Sequence, residues 1–209
     1  MTEPTVFIVD DDPSIRRVLG QLFESEHLPS ESFVSASEFL EGYDADRPGC
    51  LLLDVRMPRA SGLELQELLS ERGVGLPIIF MTAYADVPMS VRAMKAGAID
   101  FVEKPFNEQR LLEAVHRALE QDRQARRCAQ AKEEAMRRLR VLTRRERQVL
   151  ERVVAGRMNR EMAEEWGISE KTVKIHRGRV MRKMQADSLP ELVLLAQAAG
   201  IHTTKVVFQ

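Results

Sequence analysis

Asp10, Asp11, Asp54, Thr82 and Lys104 each stand at or just beyond the end of a short apolar run. Three carboxylates, a hydroxyl and an ammonium make a coherent chemical set if the chain brings them together. Carboxylates at close quarters repel, and a divalent cation relieves that repulsion. Mg2+ (or Mn2+) suits such a place, because Mg2+ takes one or two carboxylates, keeps waters and leaves room for phosphate oxygens. Asp54 can then attack a phosphoryl donor. Lys104 can pair with the new phosphate, and the Thr82 hydroxyl can donate to it. The added dianion gives Thr82 and its loop a reason to move. Singly, each residue has a plainer reading. An Asp after a strand is usually a turn residue or helix cap, the reading we give Asp12 before Pro13. Thr82 alone reads as a strand residue and Lys104 alone as a surface charge. Their joint placement, with Lys104-Pro105 its sharpest piece, lifts the group above those readings.

A second set lies at residues 170–184. Val173, Val180 and Met184 recur there at core spacing. Lys171, Lys174 and Gly178 run along another stripe, with Ile175 beside them, Arg177 and Arg179 flanking, and Arg182 and Lys183 following. A helix fits the major groove, and its exposed early residues reach base edges. Lys174 and Ile175 are assigned to base edges. Lys171, Arg177 and Arg179 are assigned mainly to phosphates, with Thr172 a further phosphate contact through its hydroxyl. The plain alternative is a solvated basic face. His176 reads as a packed helix residue, and Trp166 as core rather than a base-stacking platform.

The elements that must position these residues follow from pattern. Thr5–Val9, Cys50–Leu53, Pro77–Met81 and Ile99–Val102 are short apolar runs that read as buried strands of a parallel sheet, with Glu31–Val34 a weaker fifth. Helical stretches lie between them, and Ser35/Glu38 and Ser61/Glu64 fit the capping box. Alternating strands and helices imply right-handed crossovers, hence an α/β, flavodoxin-like (βα)5 fold with strand order 2-1-3-4-5. Ligands bind such a sheet outside the carboxyl ends of its strands, where the five residues converge. Leu111, Leu112, Val115 and Leu119 mark a last amphipathic helix. It passes into a segment rich in Ala, Arg, Glu and Gln, with no Gly or Pro between Pro105 and Gly156. We read that linker as helical, and a flexible charged tether is the alternative. Thr143/Glu146 and Ser188/Glu191 fit the capping box again. Gly156 ends one helix, a short helix follows over about 159–166, and Ser169 caps a longer one over 170–184. A final apolar helix covers Leu192 to Ala199. The Gly-marked turn between two helices makes this all-α region a helix-turn-helix. The expected domains are 1–120, a linker at 121–141, and 142–209.

Of 209 residues, 44% are hydrophobic and 30% charged, as in a soluble protein of one or two domains. The net charge of −1 hides an asymmetry. Residues 1–120 carry 11 basic and 21 acidic side chains, and residues 121–209 carry 20 and 11. The second part therefore suits a polyanion. No apolar run suits a membrane span, and the N-terminus reads straight into a strand rather than as a secretory signal. Cys50 and Cys128 have no metal spacing and are expected to be reduced thiols.

The segments VFIVDDD, LLLDVRMPRASG, FMTAYAD and AGAIDFVEKPF resemble the receiver domain of bacterial response regulators over residues 4–120. The resemblance implies Asp54 as phosphoacceptor, Asp10 and Asp11 as metal ligands, and the Arg56 backbone carbonyl completing the metal shell. It also implies Thr82 and Lys104 as switch hydroxyl and phosphate-pairing lysine, with Phe101 at the aromatic switch position. LTRRERQVL, AGRMNREMAEEWGIS and EKTVKIHRGRVMRKM resemble the NarL/FixJ (LuxR-type) output domain over about 142–200. Gly178 departs from the longer side chain of many relatives. The resemblance implies a cytoplasmic two-component regulator of transcription. Its partners would be a sensor histidine kinase, double-stranded DNA, a second copy of itself on phosphorylation, and RNA polymerase. A metal-dependent aspartate-nucleophile phosphatase is the competing enzyme class. It is disfavoured because Asp54 is followed by Val55-Arg56 rather than by a second acid two residues on. A scaffold whose first domain only binds partners is the third reading.

Overall fold

A computed structural model describes residues 3–83 and 87–201. The chain divides into two compact units, Met1–Ala125 and Arg126–Gln209.

The first unit is built on five parallel strands: β1 (Thr5–Val9), β2 (Ser30–Phe33), β3 (Gly49–Asp54), β4 (Ile78–Thr82) and β5 (Asp100–Glu103), in the order β2-β1-β3-β4-β5. This is the fold and strand order read from the pattern. Both faces are covered, which explains the unbroken apolar runs. Phe7, Val9, Leu51, Leu53 and Phe80 pack one way, with Phe39, Leu65 and Leu69 of α2 (Ala36–Gly42) and α3 (Gly62–Glu71). Val6, Ile8, Leu52, Ile79 and Met81 pack the other way, with Leu19 and Phe23 of α1 (Pro13–Ser25) and Leu111 and Val115 of α5 (Glu108–Arg140). The remaining helix is α4 (Val87–Lys95). The expected linker, 121–141, is helical through Arg140, the last residue of α5.

Two glycines let backbones meet. A Cβ on Gly62 would lie 2.3 Å from the Asp54 carbonyl oxygen, and one on Gly49 would lie 2.0 Å from that of Thr5. The Gly49 amide also donates to Asp122 Oδ2 at 3.0 Å, a carboxylate of α5 that is only 3% exposed.

The second unit packs α6 (Arg144–Val154), α7 (Asn159–Trp166), α8 (Glu170–Met184) and α9 (Leu189–Ala198) around Val149, Leu150, Met162, Val173, Val180, Met184 and Leu192. Leu139, from the last turn of α5, is buried in the same core. Gly167 ends α7 in the left-handed region (φ 62°), and Ser169 caps α8 by accepting from the Thr172 amide at 3.1 Å.

The capping boxes at Ser61/Glu64 and Thr143/Glu146 close fully. At Ser35 and Ser188 the serine caps as expected. There the glutamate reaches one residue further back, Glu38 to the Val34 amide and Glu191 to the Asp187 amide.

Candidate functional site

Asp10 follows β1, Asp54 ends β3, Thr82 ends β4 and Lys104 follows β5, so the parallel topology alone carries all four to one edge of the sheet. Asp10 and Thr82 are 1% exposed and Asp54 is 6% exposed. Lys104 Nζ donates to Asp10 Oδ2 and to Asp54 Oδ1, each at 2.6 Å. The other oxygens are also engaged: Asp10 Oδ1 accepts from the Asp12 amide at 2.9 Å, and Asp54 Oδ2 from the Arg56 amide at 2.9 Å. Where sequence suggested three mutually repelling carboxylates, the fold sets one ammonium between two of them. Asp11 is exposed beside this pair. Asp12 Oδ1 accepts from the Ser14 amide at 2.7 Å and caps α1, the bland role read for it. That hydrogen bond holds the Asp12 carboxyl below the usual aspartate value.

The electrostatics follow from burial and pairing. Burial pushes the Asp54 carboxyl above the ordinary aspartate value, Lys104 pulls it back, and Asp10 adds to the rise. Burial alone would lower the Lys104 ammonium, but its bonds to Asp10 and Asp54 outweigh that and hold it above the usual lysine value. The Lys104 amide donates to the Thr82 carbonyl at 2.7 Å, so the two residues are coupled through the β4–β5 ladder as well as by position. Phe101 is half-buried, its ring 6.1 Å from that of Phe80.

Among the described residues, no group of three or more His, Cys, Asp or Glu is close enough to cage a metal. Mg2+ does not require such a cage: one or two carboxylates and retained waters suffice. Two closely set carboxylates with an exposed third beside them are hard oxygen donors of that kind, and the donor chemistry fits.

The second candidate surface is α8. At 100° per residue, Lys171, Ile175, Gly178 and Arg182 face away from the buried Val173, Val180 and Met184, with Lys174 and Arg179 on the flanks. Among the described residues, Lys171, Lys174, Arg179 and Arg182 have no carboxylate partner. Four cations of the preceding α6–α7 region do: Arg147 with Glu151, Arg152 with Glu165, Arg157 with Glu161 and Arg160 with Glu164. Unpaired positive charge therefore gathers on one exposed helix face.

Two expected phosphate contacts have internal partners. Arg177 is half-buried, with Nη1 donating to Asn159 Oδ1 at 2.8 Å, and the Thr172 hydroxyl lies 2.8 Å from that of Ser169. Lys183 is likewise engaged, donating to Glu146 Oε2 at 2.6 Å and to the Val141 carbonyl at 3.1 Å. Glu146 is nearly buried. Burial alone would raise its carboxyl, but Lys183 and the Thr143 amide outweigh that and draw it down to about 2. Trp166 packs on the core with the Arg145 guanidinium 4.0 Å from its ring centre, as its core reading implied. His176 is half-buried.

A response regulator receiver domain model matches residues 6–116, and a model of the bacterial regulatory proteins of the luxR family matches residues 140–196. The chain belongs to the NarL/FixJ-type response regulators. This response regulator is 45% identical over 200 residues to Nodulation protein W of Bradyrhizobium diazoefficiens, covering 96% of this chain and 88% of that protein. It is also 45% identical over 197 residues to the transcriptional regulatory protein FixJ of Azorhizobium caulinodans, covering 94% and 93%. Among solved structures, the response regulator StyR matches with a TM-score of 0.84 at 46% identity, over 94% of this chain and 99% of that one. The response regulator is thus a two-component transcription regulator with a receiver and a LuxR-type DNA-binding domain, not a conventional enzyme. Among its described residues no helix is long and apolar enough to cross a membrane.

Sequence reasoning missed the burial of Asp122, the pairing of Glu146 with Lys183 and the Arg177–Asn159 bond. Only Glu146 had a local signal, as the last member of a capping box.

Proposed function

We propose that Asp54 accepts a phosphoryl group from a sensor histidine kinase and that this event controls DNA binding by the second domain. In this reading residues 1–120 are the phosphoacceptor domain, 121–141 the linker and 142–209 the DNA-binding domain. Asp10, Asp11, Asp54 and the Arg56 backbone carbonyl hold Mg2+ (or Mn2+), which when bound supplies positive charge against the phosphoryl oxygens. The observation that carries the reading is the Lys104 ammonium shared at 2.6 Å between Asp10 and Asp54 at the carboxyl edge of the sheet.

Asp54 must be ionised to react, and Lys104 favours that form against the cost of burial. A carboxylate oxygen of Asp54 attacks phosphorus. The donor–phosphorus bond breaks with its electron pair on the donor, and an acyl phosphate forms. Lys104, released from Asp54, pairs with the phosphate, and the Thr82 hydroxyl donates to it. The Thr82–Lys104 backbone bond supports a concerted response of β4 and β5, with Phe101 following.

The neighbouring face carries the next step in this reading, homodimerisation through α4 and β5. Val91 and Met94 are each 46% exposed there, which supports an apolar contact. Arg92 bonds to Glu67, and Asp100 to Arg117, so a dimer that uses those charges must exchange partners. Paired DNA-binding domains then meet half-sites about one helical turn apart or a multiple of it. On the DNA, Lys174 and Ile175 read base edges, and Lys171, Thr172, Arg177 and Arg179 hold phosphates. RNA polymerase is the downstream partner and the cytoplasm the setting.

Incubation with a small phosphodonor and Mg2+ tests the chemistry. The expected result is acid-stable, base-labile label on the unsubstituted chain and none on Asp54→Asn. Label persisting on that variant overturns the assignment, and no label on either leaves the scaffold reading.

A further inference from the structure

Gly178 sits in the middle of α8, where the helix has nothing to gain from a glycine. It shows none of the left-handed geometry found at Gly156 and Gly167. A Cβ placed on it would meet nothing within 4 Å, so no neighbouring part of the protein needs the space. Glycine inside a helix lowers its stability relative to alanine, because its unfolded backbone is freer. The protein accepts that loss at one exposed position and gains no internal packing for it.

The position explains what could. Lys171, Ile175 and Arg182 surround Gly178 on the outward face, and Ile175 is 48% exposed. Lys171 and Arg182, together with Lys174 and Arg179, are exposed cations of α8 without carboxylate partners. The missing side chain leaves a notch at the centre of the unpaired charge, where bare backbone is the outermost surface of the helix.

We propose that Gly178 is a specificity-determining residue. Its notch lets a base-pair edge in the major groove approach the α8 backbone more closely than any side chain would permit. The inference rests on α8 being the DNA-contacting helix. It requires that adding atoms at 178 stabilise the protein and weaken specific binding, effects of opposite sign that neither a packing nor a solvated-surface role produces.

The test uses the full chain, Gly178→Ala and Gly178→Leu, each treated with the small phosphodonor and Mg2+ for the binding measurements, with two duplexes: one selected from a random pool by the unsubstituted protein in that state, and a scrambled version of it. Trp166, the single tryptophan, lies in the core of the second unit, so its fluorescence follows that unit's unfolding within the intact chain. For Gly178→Ala the midpoint should rise by a few degrees, while affinity for the selected duplex falls about tenfold and affinity for the scrambled duplex stays within about twofold. Gly178→Leu should lose more specific affinity than Gly178→Ala. Unchanged affinity for the selected duplex overturns the proposal. Equal losses on both duplexes also overturn it, since that is the signature of a sugar–phosphate contact. If the unsubstituted protein enriches no duplex at all, the DNA-binding reading of α8 fails, not the notch alone.

Discussion

The sheet edge of the first unit and the outer face of α8 handle charge in opposite ways. At the sheet edge every carboxylate oxygen of Asp10 and Asp54 already has a donor, and Lys104 stands between the two acids. On α8, Lys171, Lys174, Arg179 and Arg182 project without carboxylate partners, whereas Arg147, Arg152, Arg157 and Arg160 just before it are each paired with one. Buried charge must be satisfied internally because desolvation is costly. Exposed charge can wait for its partner because water meanwhile solvates it. The first arrangement suits a site that undergoes chemistry and must be stable before it. The second suits a surface whose counter-charge arrives from outside.

The sharpest way to break the contrast is at Asp54. Asp54→Asn keeps the shape and an acceptor for Lys104 yet removes the nucleophile, so label uptake should fall to background while Trp166 fluorescence of the folded chain is unchanged. Lys104→Ala should still accept label but fail to enhance DNA binding. Normal enhancement would deny Lys104 a part in the response.

Glu146 carries the enclosed mode of pairing into the DNA-binding domain. Glu146→Gln should destabilise that domain by about 1.5–3 kcal/mol, the range for hydrogen bonds to charged groups, as read by denaturant unfolding at Trp166. The pH dependence has a definite sign. A carboxyl drawn down to about 2 in the folded state stabilises the fold fully above the ordinary carboxylate value. That stabilisation fades as pH falls from about 4.5 toward 2. Glu146→Gln should lose this part of the acid sensitivity, and an unchanged acid profile would contradict the pairing.

On the open face, Lys174→Ala should cost about 1–3 kcal/mol on a selected duplex and relax its sequence preference. Lys171→Ala should weaken all duplexes alike and lower the salt slope by about 1. Similar losses on selected and scrambled DNA for Lys174→Ala would move it among the phosphate contacts. The smallest effect belongs to charges both exposed and paired. Arg160→Ala, which removes the pair with Glu164, should change stability by less than about 0.5 kcal/mol.

Much of this was legible beforehand, for physical reasons. The sheet is buried on both faces, so Thr5–Val9 appears as an uninterrupted apolar run with its ends where the structure has them. β3, β4 and β5 differ from their expected ends by a residue, because hydrogen bonding rather than hydropathy closes a strand: Asp54 and Thr82 are polar yet pair within the ladder. Helix α8 was bounded by its own chemistry, Ser169 before it and the end of its core spacing at Met184. Contacts distant in sequence carry no local signal. Nothing around Arg177 announces that Asn159 will engage it, and a polar stretch of α5 conceals that Asp122 is buried. Sequence identified α8 as the exposed basic helix. It could not say which of those cations the protein itself would occupy.

The Asp122–Gly49 bond has a consequence for the opposite end of the same strand. Gly49 opens β3 and Asp54 closes it. The first is held by a buried carboxylate and pressed against the Thr5 carbonyl, and the second is gripped by Lys104 with Gly62 against its backbone. Flanked by β1 and β4, β3 is clamped along its length and works as an anvil: whatever strikes Asp54, the strand beneath it has nowhere to slide. In the proposed reading the yielding parts then lie to one side, toward β4 and β5, where the Lys104 amide already bonds to the Thr82 carbonyl.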